Sequence, residues 1–365
     1  MHNLPHSVVS ALFEQFKFML SHIIKSFARQ VSGRLSTLPL SEDVHSILDC
    51  DFLIDIFDGI ETQHQRQKYA KNNLPYVPPQ EHEIPGSSET FQYVPLAPLL
   101  ERLCELPEVE ANLRGHPQIS GDSEGTLRTF MDGSLFKEQF QAVIPDGSQC
   151  TIFLLLYSDE VEIVNPLGAK RGKHKLLCVY VTLLNIHTKY RSKVRSMHLL
   201  VLAKYTCVQK YGLSEILKPL MKDLVELESK GISVVIRDAM QQVQVRAFAF
   251  CGDNLSLNRL GGFTCCFSKG KVCRFCLAYK NNLAVLTSEE DCKVRTAAMH
   301  QEHLAAIAIN SVPCKRMYGV NCSSPLLELS YFDVTSQLPP DAMHEGMWLW
   351  KVASSTFSDK FSEAF

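Results

Sequence analysis

"QVQVRAFAFCGD", residues 242–253, alternates polar and apolar positions, closes into an apolar run and ends on Gly252 and Asp253. Alternation with Val and Phe in this proportion predicts a strand. Just upstream, "SEILKPLMKDLVELESKG" (214–231) spaces its apolar residues by three and four. That predicts an amphipathic helix with Ser214 as N-cap and Gly231 as its stop. Three more apolar runs precede the helix: "CTIFLLLYSDEVEIV" (150–164), "KHKLLCVYVTLLNI" (173–186) and "VRSMHLLVLAKYT" (194–206). The order is strand, strand, strand, helix, strand. It predicts an α/β fold with a ribonuclease-H-like mixed sheet, in which three antiparallel strands lead through a crossover helix to a parallel fourth.

That order gives Asp159 and Asp253 meaning. Asp159 closes the first strand and Asp253 closes the fourth. The first and fourth strands of such a sheet are neighbours, so the two carboxylates can meet. Adjacent carboxylates repel, and a divalent cation relieves the repulsion. The competing reading is that each Asp only ends a strand at a turn, as Asp often does.

Outward from the core, "SVVSALFEQFKFMLSHIIKSFARQ" (7–30) reads as an amphipathic helix and residues 41–57 as a second, shorter one. Residues 73–95, rich in Pro, Ser and Glu without a period, read as an extended linker after a helical region at 1–72. A helical and irregular segment (96–144) precedes the core (145–258). An insertion with a CxxC pair (259–330) and a C-terminal region (331–365) follow. The charge is near balance, with 37 Lys and Arg against 39 Asp and Glu, so the molecule as a whole is not a polyanion binder. No apolar run approaches a membrane span, and "LFEQFKFML" carries charges where a signal peptide has none.

Thirteen cysteines without a secretory leader argue against a disulfide framework. Cys178 and Cys251, in apolar surroundings, read as small buried hydrophobes, and the adjacent Cys265 and Cys266 as strand or turn residues. Cys273 and Cys276 have the spacing of a zinc thiolate pair, half of a tetrahedral site, or are two ordinary thiols. His300 and His303, at i and i+3, share one helix face and are candidate partners. From Asn165 to Gly212 there are many cations and no Asp or Glu. Lys170, Arg171, Lys173 and Lys175 on one side of a strand, with Arg191 and Lys193 on the other, suit a phosphate backbone. A solvated hairpin face reads equally well, and no base-reading module is present.

"LYSDEVEIVNPLGAKRGKHKL" (156–176), "FCGDNLSLNRLGGF" (250–263) with "CRFC" (273–276), and "LPPDAMHEG" (338–346) stand in an order that resembles CACTA (En/Spm)-like transposases. "RGHPQISGDSEGTLRTFMDGSLFK" (114–137) is similar to the segment before the catalytic core in animal members. The resemblance implies a DDE-type enzyme that cleaves and transfers DNA strands with Mg²⁺ or Mn²⁺. It makes Asp159 and Asp253 the first two metal-binding acids. It gives Cys273, Cys276 and His344 a structural zinc, and it places the protein in the nucleus with DNA as partner; a homo-oligomer is the other candidate assembly. The third acid follows the His of the family's Asp-x-Met-His stretch, which points to Glu345, although the family usually leaves two or more residues between them. Other members continue well past this point, so the resemblance also implies a truncated core, inactive as it stands. The rival expectation is a domesticated, non-catalytic module that binds DNA or protein and keeps zinc for structure alone.

Overall fold

The structure, a computed structural model, describes residues 6–35, 59–74, 76–114, 129–141, 151–162, 174–191, 193–236, 238–283, 285–286 and 288–341. The helix expected at 41–57, together with Lys170, Arg171, Lys173, His344 and Glu345, lies outside these residues. The chain divides into two compact units, Met1–Tyr76 and Val77–Phe365.

In the first unit, α1 (His6–Leu35) is the expected long helix. A second helix, α2 (Gln63–Asn73), opens on a capping box in which Thr62 and Gln65 satisfy each other's backbone N–H groups.

The second unit is mixed α/β, built on a seven-stranded mixed sheet. Its strands are β1 (Gln80–Glu83), β2 (Thr90–Tyr93), β3 (Thr151–Glu162), β4 (Lys175–Leu183), β5 (His198–Lys204), β6 (Ile232–Ile236) and β7 (Ala239–Gly252). Across the sheet they run β1-β2-β5-β4-β3-β7-β6. The β3–β7 pair is parallel and every other pair is antiparallel. The four runs read from sequence are β3, β4, β5 and β7.

Three strands were not in that reading. Residues 80–93, read as linker, form the β1–β2 hairpin. Its turn is Ile84–Pro85–Gly86–Ser87, where Pro presets φ, Gly86 takes a φ of 75°, and Ser87 N–H donates to the Ile84 carbonyl at 3.1 Å. The Pro and Gly that suggested a linker are turn residues. Ile84 is buried and seats the hairpin on the core. β6, a five-residue strand directly after a helix stop, hairpins into β7.

Two helices join β5 to the β6–β7 hairpin: α5 (Tyr205–Tyr211) and α6 (Leu213–Lys230). Helix α6 starts two residues earlier than expected, at a Gly212 cap, so Ser214 lies inside it and caps nothing. Gly231 does stop it, with φ 65° and its N–H on the Leu227 carbonyl at 2.8 Å. Ile216, Leu217, Leu220, Met221, Leu224 and Leu227 form its buried stripe. This face of the sheet also takes α3 (Leu96–Cys104), followed by α4 (Pro107–Arg114). A separate cluster forms where Phe130, Phe136 and Phe140 pack on Phe153 of β3 and Phe248 of β7. A bulge in the β3–β7 ladder falls at Phe248, between the pairs Leu154↔Ala247 and Leu155↔Ala249.

Candidate functional site

Beyond the bulge, Tyr157 pairs with Cys251 and Ser158 with Gly252. The next residue on each strand is an aspartate. Period-two alternation puts Asp159 on the same side as Tyr157 and sends Glu160 to the other. There Glu160 holds Arg259 Nη1 at 2.9 Å and Lys175 Nζ at 3.6 Å. Asp253 ends β7 as the N-cap of α7 (Asn254–Leu260), its Oδ1 accepting from Ser256 N–H at 2.6 Å. Asp159 Oδ1 accepts from Glu160 N–H at 2.7 Å. Among the described residues the Oδ2 atom of each is without a hydrogen bond. The turn reading holds for Asp253, which ends β7 and caps a helix, but not for Asp159, which lies inside β3 because the pairing with β4 runs on to Glu162.

A third carboxylate joins them. Pro340 forms a parallel bridge to Gly252, and Asp341 N–H donates to the Gly252 carbonyl at 3.1 Å. Asp341 Oδ2 accepts from the Tyr157 hydroxyl at 2.8 Å. The Tyr157 phenol is raised by burial first, then by Asp341, and by the charges of Asp159 and Asp253. Next to it, burial and then Asp341 push the Cys251 thiol up to about 11. All three carboxylates are half-buried. Asp341 lies in "LPPDAMHEG", but the sequence reading passed over it for Glu345. Its signal was the edge-pairing capacity of Gly252, which only the folded sheet reveals. Among the described residues, no three His, Cys, Asp or Glu side chains are gathered tightly enough to hold one metal ion.

The CxxC insertion is tied to this end of the sheet by Arg274, the first residue inside the motif. Its Nε donates to the Leu338 carbonyl at 2.7 Å, and its Nη1 reaches Asn254 Oδ1 at 2.7 Å and Asn258 Oδ1 at 3.3 Å. It thus fixes the start of α7 next to Asp253 and the segment leading to Asp341. Cys273 accepts from Phe275 N–H at 3.3 Å, and its thiol is raised by burial and by neighbouring Cys276. The two thiols are close enough to interact, and that proximity together with burial disfavours the thiolate of Cys273.

His300 and His303, on α8 (Ala297–Ile309), do not complete it. Arg295 stands by the histidines: its Nη1 meets His303 Nδ1 at 3.2 Å, and its Nη2 donates to the carbonyls of Cys273 and Tyr318 at 3.3 and 2.9 Å. His303 stacks on Tyr318 and His300 packs against Phe263. Burial and then Arg295 lower the imidazole of His300 to about 4.

Of the expected DNA-contacting cations, the described ones, Lys175, Arg191 and Lys193, are set apart by the sheet. Lys175 opens β4 and is engaged by Glu160. Arg191 and Lys193 follow the other end of that nine-residue strand, roughly 25 Å away. Arg191 is half-buried, with Nη1 on the Leu184 carbonyl at 3.4 Å, and Lys193 lies over the Tyr190 ring. No helix of the described residues is long and apolar enough to cross a membrane. The chain matches no protein-family model and no curated protein.

Proposed function

We propose that the second unit has a ribonuclease-H-like core of transposase ancestry, and that Asp159 and Asp253 bind Mg²⁺ or Mn²⁺ to act on DNA phosphodiesters. The observation that carries this reading is the parallel β3–β7 register, Ser158↔Gly252, which puts an aspartate next in line on each of two adjacent strands. Asp341, brought to Gly252 by the Pro340 bridge, is the nearest described candidate for a third acid. Bound metal would lower the pKa of an attacking water or 3′-hydroxyl and steady the leaving oxygen. The chain's own residues prepare for this by holding Asp159 and Asp253 at neighbouring strand positions, each anchored through one oxygen. Tyr157 orients Asp341, and Arg274 fixes both segments that carry the second and third acids. Cys273 and Cys276 supply two thiolates for a structural zinc, with His344 as the family-based third donor. DNA as partner and a nuclear location belong to the same reading.

The test is nicking of supercoiled DNA by the full chain with Mn²⁺, alongside direct Mn²⁺ binding. Asp159→Asn and Asp253→Asn are expected to abolish both. Glu160→Gln, on the opposite side of the sheet, is expected to leave both intact. Equal Mn²⁺ binding by Asp253→Asn and the parent chain would defeat the proposal. The second reading is a non-catalytic module that binds DNA or protein. Specific DNA binding with no cleavage under any divalent metal would select it.

A further inference from the structure

The insertion contains a cavity of about 440 Å³ whose lining has a single sign of charge. Lys269 and Lys271 come from the loop after the Gly-Gly turn, and Lys315 and Arg316 from the last turn of α9 (Ser311–Tyr318). Thr264, Cys266 and Asn321 add polar groups, and no Asp or Glu lines it. Among the described residues none of the four cations is in a salt bridge. The other grooves differ. The one beside α6 sets Lys218, Lys222 and Lys230 among Glu83, Glu215, Glu226 and Glu328, and a third is lined by acids alone among its charged residues. Four uncompensated cations converging on one cavity favour an anion with several oxygens.

Two exposed rings adjoin the cavity. Phe267, 39% exposed, lies between Cys266 and Lys269 in the chain. Tyr279, 47% exposed, pairs with Lys271, whose Nζ lies 5.3 Å from the ring centroid. Cations spread along a groove with solvent-facing aromatics suit a strand whose phosphates and unpaired bases are both within reach. A free phosphate would use the cations and leave the rings idle.

We infer that this cavity grips the phosphodiester backbone of a single-stranded polynucleotide, with Tyr279 and Phe267 as stacking platforms for its bases. The inference rests on the reading above only for the class of partner, and it shares no residue with the carboxylate site. Cys266 supplies a reporter, because Ser268 and then Lys269 lower its thiol, which favours reaction with iodoacetamide.

Fluorescence anisotropy of a labelled oligothymidine on the full chain tests it. Lys315→Gln with Arg316→Gln is expected to weaken binding roughly tenfold or more and to flatten the log affinity–log salt slope by about 1.4. Tyr279→Ala is expected to weaken it about fivefold or more. Oligothymidine is expected to slow alkylation of Cys266, and inorganic phosphate at equal phosphate concentration is not. Unchanged affinity and salt slope in the double variant would overturn the inference. So would equal protection of Cys266 by inorganic phosphate, which marks a small-anion site, or tighter binding of duplex than of single strand. Retained oligothymidine binding with no metal-dependent nicking defeats the carboxylate reading and leaves this one standing. Normal nicking with binding indifferent to Lys315 and Arg316 does the reverse.

Discussion

The end of the β3–β7 pair and the CxxC insertion handle charge in opposite ways. At the sheet end, Asp159, Asp253 and Asp341 are half-buried; Asp159 and Asp253 each use one oxygen in a local hydrogen bond, and Asp341 accepts from Tyr157 across the fold. In the insertion, Arg274, Arg295, His300 and His303 are buried, at 3%, 2%, 1% and 8% exposure. Arg295 donates to the Cys273 and Tyr318 carbonyls, and Arg274 to the Leu338 carbonyl and to the side-chain oxygens of Asn254 and Asn258. The difference separates scaffold from site. A buried cation that satisfies several carbonyls is part of what holds an irregular region together, because removing it strands those acceptors. Asp159 and Asp253, each with an oxygen to spare at the rim, contribute little to the fold and remain open to a ligand.

The largest expected effect breaks the scaffold side. Arg295→Met removes donors from the Cys273 and Tyr318 carbonyls and the partner of His303. It is expected to cost about 3 kcal/mol, read as a lower urea midpoint at unchanged slope. If Asp159→Asn costs as much, the contrast between the two regions is wrong.

Acidification should strike the same region. The imidazole of His300 is lowered from 6.5 to about 4 by burial and Arg295, with His303 adding to the shift and Asp333 opposing it. Below 6.5 the unfolded chain takes up a proton that the folded chain refuses. Stability is therefore full above 6.5 and falls as the pH drops towards 4, by about 3 kcal/mol in all. Urea midpoints at about pH 7 and about pH 4.5 should differ less in His300→Leu than in the parent chain. An identical pH dependence in the two proteins would show that His300 is already protonated or solvated in the fold.

A backbone substitution sharpens the comparison within the insertion. Gly262 has a φ of 74°, and a Cβ there would meet the Cys322 carbonyl oxygen. Its own carbonyl accepts from Asn321 and Cys322 N–H at 2.7 and 3.2 Å. Gly262→Ala is expected to cost about 2 kcal/mol in thermal or urea unfolding. A neutral result would mean that the two segments part more easily than their hydrogen bonds suggest.

How much of this was legible beforehand depended on how local the signal was. The order of β3, β4, β5, α6 and β7 could be read because each element carries its own periodicity. The juxtaposition of Asp159 and Asp253 followed from that order. The β1–β2 hairpin was missed because its strands are only four residues long and its turn residues also suit a linker. Asp341 was missed for a different reason: its place is set by a single bridge between residues 88 apart, Gly252 and Pro340, with no pattern in the intervening sequence. The basic cavity was likewise invisible. Lys269 and Lys271 are neighbours in sequence, but Lys315 and Arg316 reach them only in the fold, where Thr264 N–H donates to the Gly319 carbonyl at 2.9 Å and Val320 bridges Phe263. By contrast, the dense cationic run at 165–212 drew attention through sequence alone. Its described members are split between the two ends of β4, and Lys175 is paired with Glu160 there.

The smallest expected effect tests the rim. Tyr157→Phe removes the hydroxyl that donates to Asp341 Oδ2 and keeps the ring. The lost bond is worth about 1 kcal/mol or less, because Asp341 is half-buried and water can replace the donor. The unfolding midpoint should barely move. What should move is the carboxylate: losing the Tyr157 hydroxyl removes one hydrogen bond to the ionised form of Asp341, so its pKa should rise in Tyr157→Phe. Carboxyl-labelled NMR titration of the two proteins reads this directly. A large loss of stability with no change in the titration of Asp341 would make the Tyr157–Asp341 contact part of the scaffold, and the distinction between rim and insertion would then fail at its most sensitive point.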